Sequence, residues 1–221
     1  VLLLILMGFC FLKFKNKKFK IFKIFFLSFL FIGCATTMSD KNLNNDFVQN
    51  FINQNKNDSY ILINIDKQEL IYKSRFRTYT YPISSSVNGL GNEKNSYKTP
   101  FGEHIVAEKI GENLPFGAVL KGRKWTQEVI EPIREQIDIP EDVITSRILW
   151  LDGLEEGINK GGEVDSKERF IYIHGTAEEG LIGKPASIGC IRMKNKDVIK
   201  LFNRVKENTK VLIYSKKTQY F

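Results

Sequence analysis

The stretch Phe170–Asp197, FIYIHGTAEEGLIGKPASIGCIRMKNKD, holds one of the chain's two histidines and one of its three cysteines. It opens on an apolar run rich in aromatic and β-branched residues, which reads as a strand. His174 ends that run and Gly175 follows at once. Cys190 follows Gly189 in a loop, ahead of the short IRM and a segment with helical periodicity. There Val198, Leu201, Phe202 and Val205 keep the i, i+3, i+4, i+7 spacing of one helix face, and Asn195 is placed to cap it. The 16 positions from His174 to Cys190 are enough chain to fold back and bring imidazole and thiol together.

Working outward, YILINI and ELIYK flank the polar turn Asp66-Lys67-Gln68 and predict a hairpin. RTYTYPISSS continues the strand pattern, with Pro82 marking an edge or a strand end. TPFG precedes a further strand, and GAVLKG, RILWLDG, RFIYIHG and KVLIY complete the set. The segment Trp125–Thr145 interrupts them as a polar, proline-punctuated, partly helical insertion. Many short strands and few helices predict a mainly β domain, a sandwich or barrel-like sheet with one packed helix near the C-terminus. Gly161-Gly162 lies among charged residues without the strand-to-helix context of a phosphate loop.

Charge is unevenly placed. Of 33 Lys and Arg and 25 Asp and Glu, six lysines and no acidic residue precede Cys34, which leaves 27 against 25 from Cys34 onward. The formal charge of +8 therefore belongs to the leader, and nucleic acid is not an expected partner. In KFKNKKFKIFKIFFLSFLFIGCATT, lysines precede a short apolar run and small residues, the order of a secretory signal. The run Ile24–Gly33 is about half the roughly 20 residues needed to span a bilayer. FIGC also resembles a bacterial lipobox, whose cysteine would be lipidated; Phe31 departs from its usual leucine. Residues 1–33 are thus read as a leader and Cys34 as a lipid attachment point. Residues 34–58 are read as a polar tether with one short helix around Phe47, Phe51 and Ile52, and 59–215 as the folded domain. The expected location is the cell envelope, as a periplasmic lipoprotein that Ala35 directs to an outer membrane.

With Cys10 in the leader and Cys34 carrying lipid, Cys190 is the one thiol left to the exported domain and has no disulfide partner. A cysteine nucleophile needs a base to take its proton and donors for the oxyanion. His174 is the base at hand. Gly189 lets backbone approach substrate, and the amides around Gly189 and Cys190 are the natural donors. Arg192 either anchors a substrate carboxylate or holds the loop by an ion pair. Two histidines and one exported cysteine, without HExxH or CxxC spacing, predict no metal site and no cofactor. His104, in FGEHIV, reads as a structural or surface residue.

These motifs resemble the L,D-transpeptidase catalytic domain, the YkuD-type fold. Its signature is a strand ending in HGT, a loop, then S-x-G-C-I/V-R. It stands here as His174-Gly175-Thr176 and Ser187-Ile188-Gly189-Cys190-Ile191-Arg192. KNKDVIKLF is similar to the family's downstream helix, and TPFG (Thr99–Gly102) to its upstream TPxG turn. The resemblance implies a β-sandwich domain acting on peptidoglycan stem peptides. Cys190 would attack the carbonyl of the diaminopimelate that precedes a terminal D-alanine. A thioester would then be resolved by an amine of a stem peptide or envelope protein, or by water. His174 would be general base and then acid, oriented by a backbone carbonyl. Gly189, Ser187, Arg192, Gly175 and Thr176 would support the site. A noncatalytic wall-binding lipoprotein is the reading from another class. Where the family often has histidine this chain has Ile188, so His174 would act without a second imidazole there.

Overall fold

The computed structural model describes residues 46–216. The leader, Cys34 and the first part of the tether lie outside them. The strands are β1 (Tyr60–Asn64), β2 (Glu69–Lys73), β3 (Thr78–Ser84), β4 (Gly102–Ile110), β5 (Ala118–Lys121), β6 (Lys124–Val129), β7 (Ile144–Gly153), β8 (Tyr172–Thr176), β9 (Ile191–Met193) and β10 (Lys210–Tyr214). Helix α1 covers 46–54 within the described residues, and α2 is Asn195–Arg204. No helix among the described residues is long and apolar enough to cross a membrane.

All ten strands share one sheet, ordered β4-β10-β1-β2-β3-β9-β8-β7-β5-β6. Because β4 also pairs with β7, the eight strands from β4 round to β7 close on themselves, and β5–β6 extends beyond them as a hairpin. The architecture is the mainly β, barrel-like sandwich that the strand pattern predicts. β1 and β2 form the expected hairpin. β3 runs beside β2 along its length but meets β9 only at Ile83 and Ser84, so Pro82 lies where no second neighbour asks for its missing N–H.

Strand alternation divides the side chains between two faces. Ile61, Ile63, Leu149, Leu151, Ile173, Ile191, Met193, Val211 and Ile213 turn inward and form the main core with Val198, Leu201 and Phe202 of α2. The intervening residues of β1 and β10, Tyr60, Leu62, Leu212 and Tyr214, pack under Phe51 of α1, whose ring meets Tyr60 edge-on at 5.7 Å. Phe51 is 1% exposed. The last part of the expected tether is therefore a docked helix, because its three apolar residues fit the outer face of β1 and β10. The intervening residues of β7, β8 and β9 face outward on the opposite side, beneath the β5–β6 hairpin.

Two local expectations are corrected. The Trp125–Thr145 insertion contains no helix: it runs as β6 and then as an irregular loop up to β7. Pro132 and Pro140 punctuate a stretch of β-branched residues that has no helical phase to offer. Asn195 is not the cap of α2 but its first residue, with Lys194 at the N-cap position. Its buried amide accepts from the hydroxyls of Thr145 and Ser146 (both 2.6 Å) and donates to Thr176 O (2.8 Å) and Glu179 Oε1 (2.9 Å). Glu179 does the capping, accepting the Asn195 N–H at 2.7 Å.

His104 on β4 is fully buried. Its Nδ1–H donates to Gly102 O (3.0 Å) and Nε2 accepts from Ser166 Oγ (2.9 Å), so it is structural. Burial pushes its pKa down to about 4. Since the unfolded value is near 6.5, the unfolded chain binds more protons between these limits. The resulting contribution is complete above pH 6.5 and is lost as pH falls toward 4, about 3 kcal/mol at most. His104→Gln should flatten the fall of the urea midpoint over that window. Equal slopes for variant and wild type would remove His104 as its source.

Candidate active site

The outward residues of β7, β8 and β9 form two rows across the sheet. Register places Ile148 beside His174 and His174 beside Arg192. It places Trp150 beside Tyr172, and Cys190, one residue before β9, continues that row. The Tyr172 N–H donates to Cys190 Sγ at 3.4 Å, and Sγ–H reaches Phe170 O at 3.4 Å. His174 and Cys190 are thus one strand apart and two residues along on the same face. In a parallel pair that diagonal is about 8 Å between Cα atoms. The structure brings the two motif residues together by strand pairing.

His174 is completely buried, and its Nδ1 lies 2.7 Å from Gly175 O. A carbonyl only accepts, so Nδ1 carries the proton and Nε2 is the basic nitrogen. Nε2 has no hydrogen-bond partner among the described residues. Gly175 owes its identity to space: a Cβ there would stand 2.5 Å from Thr145 O and 2.7 Å from Asn195 Oδ1. Gly189 owes its identity to φ, which is +136°. Ser187 closes the turn between them, donating to Cys190 O (2.6 Å) and accepting the Gly189 N–H (3.3 Å). Its backbone is strapped to Ser85 and Val87. Thr99 of TPFG accepts the amide of the intervening Ser86 at 3.0 Å. The Cys190 N–H makes no hydrogen bond among the described residues.

Arg192 has the ion-pair geometry. It is 3% exposed, with Nη1 on Glu178 Oε2 at 2.8 Å and Nε 3.0 Å from Asp142 Oδ1, a contact not aligned as a hydrogen bond. Glu178 is held by the Thr176 Oγ1 contact to its amide (3.1 Å) and accepts the Ile139 N–H (2.8 Å). The insertion loop is pinned over the segment after β8 by Ile133 N–H to Ala177 O (2.7 Å) and Gly180 N–H to Ile133 O (3.0 Å). It delivers Asp142 to the site.

Burial pushes the Cys190 thiol up to about 12, with the Asp142 charge adding to it; the Tyr172 amide, Arg192 and Arg169 pull the other way. Burial pushes His174 down, while Asp142 and the Gly175 carbonyl resist and Arg192 assists. Both shifts run toward the uncharged form, thiol for Cys190 and imidazole for His174. Asp142, Glu178 and Arg169 escaped the sequence reading. Asp142 lies 48 positions from Cys190 in an irregular loop, and no periodicity points to it. Arg169 donates to Gly91 O, Asn92 O and Lys98 O at 3.2, 2.9 and 2.6 Å. A cleft of ≈ 230 Å³ beside it is lined by Tyr97, Phe170, Ile171 and Ile188. Ile188 is 57% exposed, an apolar wall rather than a second imidazole.

The closed sheet puts a histidine on β8 and a cysteine one residue before the parallel β9, each beside a motif glycine. Residues 58–213 match the model of the YkuD L,D-transpeptidase catalytic domain, and the chain belongs to that family. It is 56% identical over 48 residues to L,D-transpeptidase YkuD of Bacillus subtilis (strain 168), which is 22% of this chain and 29% of that protein. It is 49% identical over 45 residues to L,D-transpeptidase YqjB of the same strain, 20% of this chain and 26% of that protein. The matches thus span under a third of these relatives' lengths. The solved catalytic domain of the Enterococcus faecium L,D-transpeptidase aligns with 72% of this chain and 98% of its own, at 20% identity and a TM-score of 0.41.

A thiol pushed this far up has a direct signature. Alkylation of Cys190 by iodoacetamide should quicken close to tenfold per pH unit from pH 7 to pH 10, because the thiolate share is still growing. A rate that levels at or below pH 8.5 would mean that the thiolate forms more readily than this burial allows.

Proposed function

We propose that the chain is a cysteine-dependent L,D-transpeptidase acting on peptidoglycan stem peptides. The observation that carries this reading is the placement of His174 and Cys190 on one face of the parallel β8–β9 pair, with Nδ1 committed to Gly175 O and Nε2 free. Family membership supports the substrate class.

Cys190 acts as the nucleophile. As Sγ adds to the carbonyl carbon of the residue before the terminal D-alanine, its proton passes to His174 Nε2. The carbonyl π-electrons move to oxygen, which accepts from the unpaired Cys190 N–H. The Gly189 N–H joins it by releasing its long contact with Ser187. Collapse breaks the C–N bond. Nε2 returns the proton to the departing D-alanine amine, leaving a thioester and neutral imidazole. In the second half an acceptor amine adds to the thioester, loses a proton to Nε2, and expels the thiolate, which recovers that proton. Water in place of the amine gives L,D-carboxypeptidase activity by the same steps. Burial favours the neutral form of both groups, so positive charge develops on the imidazole and negative charge on the carbonyl oxygen as the carbonyl is attacked. Gly175, Thr176 and Ser187 hold this geometry through the hydrogen bonds described above, and Arg192 anchors the loop through Glu178 and Asp142.

The lysine-rich leader and FIGC support export, with lipid on Cys34 and the domain in the periplasm at the outer membrane. In that compartment an unpaired Cys190 is explained by its use as a nucleophile.

Incubation with a stem tetrapeptide should release D-alanine, and a carbapenem should add one covalent mass to the protein. Cys190→Ala should abolish both, and His174→Ala should lower the release rate by roughly 10²–10⁴-fold. A wild-type protein that neither acylates nor releases D-alanine overturns the enzyme reading. With an amine acceptor present, ligated peptide indicates transfer and free tripeptide indicates hydrolysis.

A further inference from the structure

The β5–β6 hairpin ends in a two-residue turn, Gly122-Arg123, with φ of 55° and 65°. Such a turn favours glycine or asparagine at both positions. Here the second is an arginine, whose guanidinium carbon lies 4.5 Å from the Trp150 ring centroid and 5.2 Å from that of Phe170. Nη1 donates to the Tyr172 hydroxyl at 3.2 Å. Trp150 itself is fixed edge-on against Tyr172, at 5.7 Å and 83°, and donates its indole N–H to Lys167 O. The guanidinium thus has a rigid aromatic seat. Among the described residues that hydroxyl is its only acceptor, and no carboxylate lies within 4.0 Å of it. Arg192 differs: its charge is buried and already matched by two carboxylates.

The seat adjoins the nucleophile. Tyr172 meets Arg123 at its hydroxyl and Cys190 Sγ at its backbone amide, so one tyrosine separates guanidinium and thiol. Phe170, which flanks Arg123, offers its carbonyl to the same Sγ. A partly exposed planar cation with free donors, held over aromatic faces beside an acylating thiol, suits a planar anion carried by the acyl donor.

We propose that Arg123, seated on Trp150, Phe170 and Tyr172, is the subsite for a carboxylate of the donor peptide. This rests on the reading of the chain as an enzyme of peptide donors. The peptide offers two such groups near the scissile bond, the terminal carboxylate and the side-chain carboxylate of the third residue, and Arg123 takes one of them.

The test is calorimetric binding to full-length Cys190→Ala, with a stem tetrapeptide bearing both carboxylates and with two analogues, each amidated at one of them. One amide should bind about tenfold more weakly than the acid, in line with a charge-assisted hydrogen bond; which one identifies the group held. Adding Arg123→Met, which keeps the stem on the Trp150 face, should weaken the acid to the level of that amide and leave that amide unchanged. Arg123→Lys should retain much of the preference for the acid. Equal weakening of all three peptides by Arg123→Met, or no discrimination between acid and either amide, overturns the subsite. D-alanine release by wild type is scored separately. Release without the binding pattern removes the subsite alone, and the pattern without release removes the transpeptidase reading while the carboxylate subsite stands.

Discussion

The parallel pairing of β8 with β9 is the constraint on which the site rests. Its register, Ile173 to Ile191 and His174 to Arg192, sends the isoleucines into the core and leaves imidazole, thiol and guanidinium on the outer face. A one-residue slip would turn these side chains inward and expose the core, so hydrophobic packing enforces the geometry of the site. Parallel neighbours need a crossover, and residues 177–190 supply it. That crossover contains Glu178, Glu179 and Ser187, each of which bonds back to an element of the site.

The electrostatics follow from the same burial. A thiol and an imidazole taken out of water are both pushed toward their neutral forms, in opposite pKa directions. Asp142 stabilises a positive imidazole but opposes a negative thiol. Arg192, paired with Asp142 and Glu178, does the reverse. Asp142 and Arg192 thus act on each member of the pair in opposite senses.

Much of the fold was legible in the residues. Alternation revealed nearly every strand, and the spacing Val198, Leu201, Phe202 and Val205 revealed α2, because those signals are local. HGT and S-x-G-C-I-R were legible through their resemblance to a family signature, and the structure adds the steric demands that two of their glycines answer, crowding at Gly175 and φ at Gly189. What was not legible depends on contacts distant in sequence. Asn195 looks like a cap because an asparagine before an apolar helix face usually is one; four partners from β7, β8 and the crossover claim its amide instead. Asp142 and Arg123 lie in segments without periodicity, and only the closed sheet brings them to the site. The docking of α1 was half visible: its apolar residues were seen, but not the outer face of β1 and β10 that they cover.

β1 lies between β2, its neighbour in sequence, and β10, the last of the strands, which it pairs in parallel over five residues. β10 in turn supplies the link to β4. The ring of strands therefore has no way to close until Lys210–Tyr214 has been made, however early the first hairpin forms. During synthesis the His174 and Cys190 segments leave the ribosome before the strand that completes the barrel around them. A nascent chain accordingly keeps its sheet open until nearly all of the domain is available.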